Sequence, residues 1–380
     1  MRLSLPYLSR PTSRQAGDPS AAQPAEAARG ARPLNVLAWP AFSNRAGQPY
    51  NWLLYSHLRA RGVRVDEFSA ARALARRGCL VHLHWSPTSR VRSPGLASAV
   101  LRSAALVALL AWVRARGGRV VWTAHNAVAH DRAPRPRLER WFWRAFPGCL
   151  DAVLHMSEPA RDAVCDRYPA LRGVRAFVVP HGHYRTAYPM ELDRAGARRR
   201  LGVAARARVL AFVGQIRPYK NVAALLAAFA AIPDPDAVLL IAGEMKMGGE
   251  AEAVRTAAAA DPRVRLEEGF VPGGEMQIYL RAADLAVFPY SEVLNSGSAL
   301  LALSFDRPVL VPAQGSLSEL ARDMGADWVR TYTGELAPGV LAAALEWAVG
   351  TRRSPSPSME HLDWARVAEQ THRIYTELLG

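Results

Sequence analysis

Apolar residues along this chain come in short runs, each closed by glycine, proline or polar residues and followed by a helical pattern. Residues 34–39 (LNVLAW), 63–68, 79–85, 119–123 and 150–155 are such runs, rich in β-branched and aromatic side chains and too short for buried helices. A strand that is largely apolar rather than alternating is one covered on both faces, and strands alternating with helices build a parallel sheet. A second series follows at 209–213, 237–242, 264–268, 285–289, 308–311 and 328–330. Between the two, residues 178–184 (VVPHGHY) break the pattern, and a charged helical run follows at 194–200. The pattern predicts an α/β protein of two consecutive domains, 34–183 and 184–355, whose parallel sheets face each other across a cleft. A C-terminal helix within 356–380 is expected to pack back toward the first domain. Residues 1–33 are rich in Ala, Pro, Ser and Arg and hold no apolar run, so they read as a disordered tail rather than a signal peptide.

In open parallel sheets ligands sit beyond the carboxyl ends of the strands, so those ends carry the candidate chemistry. Residues 209–229 (VLAFVGQIRPYKNVAALLAAF) are a strand, Gly214, a short loop with Arg217 and Lys220, and then an apolar helix. Two cations at a helix start, where free amides and the helix dipole already favour an anion, suit an oligophosphate. Lys220 is one of only two lysines among 48 basic residues, the other being Lys246. A lysine in this turn is therefore a selected residue rather than surface filler. After the strand at 285–289, Asn295, Ser296, Gly297 and Ser298 open another apolar helix, where small residues let backbone amides approach a phosphate. A plain helix cap by Asn295 or Ser296 uses the same geometry. In the first domain the strand ends carry 43–51 with Asn44, His82 and His84, and 123–131 (TAHNAVAHD) with His125, His130 and Asp131.

Composition narrows the classes. At 380 residues, half of them hydrophobic, the chain has room for two cores. The formal charge is +15, of which the tail takes +3 (five arginines against Asp18 and Glu26), leaving +12 on the folded part. Such charge permits phosphorylated substrates, anionic lipid or nucleic acid as partners, but no nucleic-acid motif accompanies it. Cys79, Cys149 and Cys165 are scattered and odd in number, without disulfide or metal spacing, which fits a reducing cytoplasm. Asp234-Pro235-Asp236 reads as a turn rather than a metal motif. The pairs His82/His84 and His181/His183 have no carboxylate or thiolate cluster beside them, so no metal site is expected. Residues 96–113 read as an apolar helix covering the first domain. Residues 135–146 (RPRLERWFWRAF) interleave arginines with aromatics, as helices lying in a bilayer interface do.

Taken together these motifs resemble a GT-B glycosyltransferase, with two Rossmann-like domains, the nucleotide-sugar donor on the second and the acceptor on the first. GQIRPYKN resembles that group's Arg/Lys turn, and VVPHGHY its interdomain hinge. HLHW (82–85), HNAVAHD (125–131), HGHYR (181–185), IRPYK (216–220), NSG at 295–297 with LLALS, and RPVL (307–310) are similar to the β-mannosyltransferases of xanthan-type assembly. That resemblance implies an inverting transfer of mannose from GDP-mannose to a saccharide acceptor, a polyprenyl-diphosphate-linked oligosaccharide; no metal is expected, and the basic aromatic run at 135–146 adds peripheral attachment to an anionic inner leaflet of a cytoplasmic protein. The alternatives are another donor such as UDP-glucose, or a sugar-nucleotide-binding protein without transferase activity. Gly214, Arg217, Lys220, Glu244, Asn295, Ser296, Gly297 and Ser298 would hold the donor. His125 would position the sugar, Asp131 with His130 as runner-up would serve as base, and Asn44, His84 and His183 would line the acceptor side. Many retaining GT-B enzymes carry two glutamates, eight positions apart, after the strand at 285–289. Here Leu294 and Ala302 stand in those places and Glu292 lies two residues early, in keeping with inversion.

Overall fold

The computed structural model describes residues 34–380 apart from 46, 86, 87, 89, 127–134 and 247. The first unit runs β1 (Asn35–Trp39), α1 (Tyr50–Ala60), β2 (Arg64–Glu67), α2 (Ala70–Ala75), β3 (Leu80–His84), α3 (Leu96–Ala115), β4 (Arg119–Thr123), α4 (Pro136–Ala145), β5 (Ala152–His155), α5 (Glu158–Arg167) and β6 (Arg175–Val178). Its six strands lie in the order β2-β1-β3-β4-β5-β6, all parallel. The second unit runs α6 (Arg194–Leu201), β7 (Arg208–Val213), α7 (Val222–Ala230), β8 (Ala237–Gly243), α8 (Glu250–Ala260), β9 (Val264–Glu268), α9 (Met276–Ala282), β10 (Leu285–Val287), α10 (Gly297–Ser304), β11 (Val309–Pro312), α11 (Gly315–Met324), β12 (Val329–Tyr332) and α12 (Pro338–Gly350). Its order is β12-β11-β10-β7-β8-β9, again parallel throughout. The α/β architecture of two parallel sheets is thus the one the apolar runs predict. Strand β6, at the edge of the first sheet, is not among the runs read from the pattern; its residues Arg175 and Ala176 are exposed, so it lacks the apolar signal.

Both sheets are buried on two faces, and this is why their strands carry so little alternation. One face of the first sheet is covered by α3, α4 and α5, through Leu106, Leu110, Val113, Phe142, Phe146 and Val164. The other is covered by α1 and the last helix, α13 (Trp364–Leu379), whose Trp364, Val367, Ile374, Tyr375 and Leu378 join Leu53, Leu54, Tyr55 and Leu58. Arg119 Nε donates to Leu378 O at 2.7 Å and Trp364 Nε1 to His183 O at 2.6 Å, fixing both ends of α13. The charged run at 194–200 forms α6, but Arg198 is buried. Its guanidinium pairs with Asp284 at 2.8 Å and donates to the carbonyls of Ala205, Ala207 and Ala282, so one arginine ties α6 to β7 and α9. Burial nonetheless lowers its pKa, with Asp284 opposing that shift.

Candidate functional site

The turn that carries Arg217 and Lys220 begins where β7 stops. Gly214 sits at φ +140°, a conformation that favours glycine. Gly243 at the end of β8 is pressed so closely on it that a Cβ there would fall 1.9 Å from Gly214 O. Ile216 then bridges to Met245, with its amide on Glu244 O at 2.9 Å, which holds the turn against the neighbouring strand end. A 3₁₀ turn, Pro218–Lys220, and Asn221 at φ +54° deliver the chain into α7. Lys220 Nζ consequently points across to the next strand end. It donates to Tyr290 OH at 3.0 Å, lies 4.6 Å from the centroid of that ring, and reaches Ser298 Oγ at 3.4 Å.

Ser298 belongs to the first turn of α10. Ser296 Oγ accepts from Ala299 N at 3.2 Å, capping the helix as its residue type predicts. The amides ahead of it have no carbonyl partner within the helix, so α10 presents free N–H groups beside the Lys220 ammonium. The structure therefore gathers Gly214, Lys220, Ser296, Gly297 and Ser298 at one place. Arg217 Nε donates to Gln215 Oε1 at 3.1 Å, and among the described residues no hydrogen bond ties it to that cluster. Glu244 is ion-paired with Lys246, which accounts for the second lysine. Tyr290, the residue that orients Lys220, was not singled out by sequence reasoning; a tyrosine at the end of an apolar strand carries no signal of its own.

Across the cleft the first unit contributes a buried group of imidazoles and phenols. His82 Nε2 meets Thr123 Oγ1 at 2.7 Å, and His82 Nδ1 meets Tyr375 OH at 2.5 Å and Tyr55 OH at 3.0 Å. Tyr55 OH also meets His84 Nε2 at 2.5 Å, and His84 Nδ1 meets His125 Nε2 at 3.0 Å. His125 stacks on Trp85 at 4.5 Å, and Tyr50 sets its edge against His125 and His181, both at 4.9 Å. The backbone of His125 reaches the second unit directly, its carbonyl accepting from Asn295 Nδ2 at 3.0 Å. His181 closes the group, since a Cβ on Gly297 would lie 3.7 Å from its Nε2. The site thus brings His84, His125, Asn295 and Gly297 into one junction.

The remaining sequence candidates are placed as follows. Asn44 lies in the loop after β1, which Glu67 holds by accepting from the amides of Ala41 and Phe42; Asn44 Oδ1 is shielded and has no hydrogen-bond partner among the described residues. His183 is engaged in the crossing between the units, with Nε2 on Asp363 Oδ1 at 2.6 Å. His130 and Asp131 lie outside the described residues. Asp234 and Asp236 pair with Arg208 and Arg206, as turn residues between α7 and β8. Among the described residues no group of three or more His, Cys, Asp or Glu is placed to hold a metal ion.

Burial dominates the electrostatics of the junction. It pushes His82 down to about 3, His155 and His181 to about 4, and His84 and His125 well below the ordinary histidine value. In the unfolded chain all five would take a proton near 6.5 while the folded chain leaves them neutral, so stability is lost as pH falls through 6.5. Each contributes up to about 2 kcal/mol of that loss by pH 5. Urea denaturation is therefore expected to show a stability several kcal/mol lower at pH 5 than at pH 7.5. Equal stability at the two pH values would mean the imidazoles charge in the folded protein.

Comparison with known proteins agrees with this geometry. The family described as Glycosyl transferases group 1 matches residues 207–348. Two sequences named GDP-mannose:glycolipid 4-beta-D-mannosyltransferase, from Xanthomonas campestris pv. campestris, are 32% identical over 363 residues, covering 95% of this chain and 97% of theirs. A D-inositol 3-phosphate glycosyltransferase from Actinosynnema mirum is 29% identical over 287 residues, 68% of this chain and 67% of its own. Among solved structures, sucrose-phosphate synthase from Thermosynechococcus elongatus superposes with a TM-score of 0.66 at 16% identity, over 91% of this chain and 99% of that one. WaaG, a glycosyltransferase involved in lipopolysaccharide biosynthesis, gives 0.60 at 16%, over 90% and 100%. These likenesses show the fold, and the full-length identity shows the family. The chain belongs to the group 1 glycosyltransferases of GT-B fold, in the family of the GDP-mannose:glycolipid 4-beta-D-mannosyltransferases.

Proposed function

We propose that the protein transfers mannose from GDP-mannose to a polyprenyl-diphosphate-linked oligosaccharide, with inversion, at the cytoplasmic face of a membrane. The observation that supports this most is the Lys220 ammonium held by Tyr290 beside the opening turn of α10, in a chain whose full-length relatives carry the mannosyltransferase name. The departing diphosphate gains negative charge as the glycosidic bond breaks, and Lys220, Ser298 and the free amides of α10 meet that charge. Arg217 adds a cation at the outer side of the turn. His125 positions the sugar from the opposite wall. His84 and His125 are poor bases because burial disfavours their charged forms. In this reading the acceptor hydroxyl gives its proton to Asp131, with His130 as the alternative. No metal takes part in this reading.

The membrane reading moves from α4 to α3. In α4, Phe142 and Trp143 are core residues and only Trp141 is exposed, so the aromatic half of that helix is unavailable to lipid. Helix α3 has the length and hydropathy of a membrane span, yet it packs Leu106, Leu110 and Val113 onto the sheet. Leu101, Ala105, Ala108 and Trp112 recur at helical spacing on its exposed side, with Leu101 70% exposed. No acidic residue occurs between 93 and 118, whereas Arg102, Arg114 and Arg116 do. An apolar stripe with basic flanks fits the interface of an anionic bilayer.

Lys220→Ala is expected to weaken GDP binding by about 1.5–3 kcal/mol, the worth of a charge-assisted contact, and Tyr290→Phe by less, with both folds intact. Calorimetry giving wild-type GDP affinity for Lys220→Ala would remove that residue from the site. Asp131→Asn should lower turnover by about 10²–10⁴-fold at unchanged GDP affinity; turnover near the wild-type rate would hand the role to His130. Leu101→Glu combined with Ala105→Glu should abolish sedimentation with anionic vesicles while sparing GDP binding. Undiminished sedimentation would place the membrane contact elsewhere.

A further inference from the structure

Three arginines on the outer side of the first unit have no anion of their own. Arg140 and Arg144 stand one turn apart on α4, and Arg167 closes α5. All three are exposed and line one cavity of about 490 Å³ between α4 and the end of α5. Its floor is Trp143, buried and stacked on Tyr168 at 3.8 Å. Among the described residues none of the three arginines is ion-paired. The carboxylates of α5 are already taken, Glu158 and Asp162 by Arg161 and Asp166 by Arg172. Glu139 is the one acid among the lining residues, and three arginines against it leave a charge of +2 around the cavity.

Guanidinium groups converging from two helices suit phosphate, whose oxygens they meet in pairs. The cavity exceeds what one phosphate ion fills. A diphosphate esterified at both ends carries one negative charge on each phosphate and so matches the charge of the lining, whereas a lipid with a single phosphodiester supplies half of it. The exposed arginines open the cavity on the outer side of the layer formed by α3, α4 and α5, the side on which α3 turns out its apolar stripe. The cavity is also set back from the cleft. Helix α5 starts after Ser157, which lines the space between the units with His181 and Asn295, and its ten residues carry Arg167 about 15 Å further on. We infer that this pocket holds the diphosphate of the lipid-linked acceptor. Arg140, Arg144 and Arg167 pair with its oxygens, the lipid tail enters the bilayer that α3 meets, and the saccharide runs toward the cleft. The inference rests on the functional reading above for the existence of such an acceptor. A single sugar ring cannot bridge the setback, so the pocket selects acceptors that carry an oligosaccharide.

Calorimetry with geranyl diphosphate, a short water-soluble prenyl diphosphate, tests this on the full chain, with GDP present to occupy the Lys220 turn. The wild-type chain is expected to bind it. Arg140→Gln, Arg144→Gln and Arg167→Gln should each weaken binding by about 10-fold or more, the effect of losing one charge-assisted contact. Glutamine is readily solvated at these exposed positions, so unchanged thermal unfolding and GDP affinity are expected of all three variants. Lys220→Ala should leave the geranyl diphosphate affinity unchanged, which separates the pocket from the turn after β7. Failure of the wild-type chain to bind, or unaltered affinity in all three arginine variants, overturns the inference. Glycerol 3-phosphate binding as tightly as geranyl diphosphate also overturns it, and assigns the pocket to an ordinary lipid headgroup. A wrong donor assignment would show in GDP affinity and leave the arginine effects standing, whereas failure here leaves the Lys220→Ala test of the donor site untouched.

Discussion

Gly182 and the indole of Trp364 lie so close that a Cβ on the glycine would fall 2.4 Å from the ring. This contact joins the two places where the chain passes between its sheets, the segment after β6 and the segment before α13. His183 reinforces it from both sides, its amide on Leu362 O at 3.0 Å, its carbonyl accepting from Trp364 and its ring on Asp363. At the next residue, Tyr184 N donates to Ser304 Oγ at 2.9 Å, so the same crossing is fastened to α10. The opening turn of α10 and the imidazoles of the first sheet therefore share one anchor.

Charge is divided unevenly across the site. The second unit supplies a cation held at a half-buried position by a phenol and a helix start, where a leaving diphosphate would need it. The first unit supplies imidazoles that burial keeps uncharged. Permanent positive charge on one wall and neutral, oriented hydrogen-bonding groups on the other suit a reaction in which charge departs with one fragment while the other must be steered rather than neutralised.

Much of this was legible along the chain. Strand runs buried on both faces show in apolar continuity, and Lys220 stands out because the chain otherwise writes its positive charge as arginine. The two turns that meet at Lys220 and Ser298 were readable because helix starts and small residues are local features. What could not be read is what depends on distant pairing. Tyr290 orients Lys220 from 70 residues away, and Tyr375 reaches His82 across 293. Glu67 organises the loop after β1 although in sequence it is only a charged residue near the end of the run at 63–68. In the stretch 135–146 the arginines and aromatics were visible, but which aromatics face inward was decided by the stacking of Trp143 on Tyr168 at 3.8 Å. His82 and His84 were visible as strand-end histidines without a metal cluster, but their partners Tyr55, Thr123, His125 and Tyr375 come from four other elements and could not be read locally.

Strand β3 shows why one small sheet can serve two surfaces. Its side chains alternate, as any strand's must: Val81 and Leu83 enter the core under α3, whereas His82 and His84 enter the opposite face, against α1 and α13. The apolar outer stripe of α3 and the crossing that anchors the cleft consequently lie on opposite faces of the same sheet. A bilayer meeting α3 would not contact Trp364 or Tyr375, so attachment and the imidazoles of the cleft do not draw on the same residues.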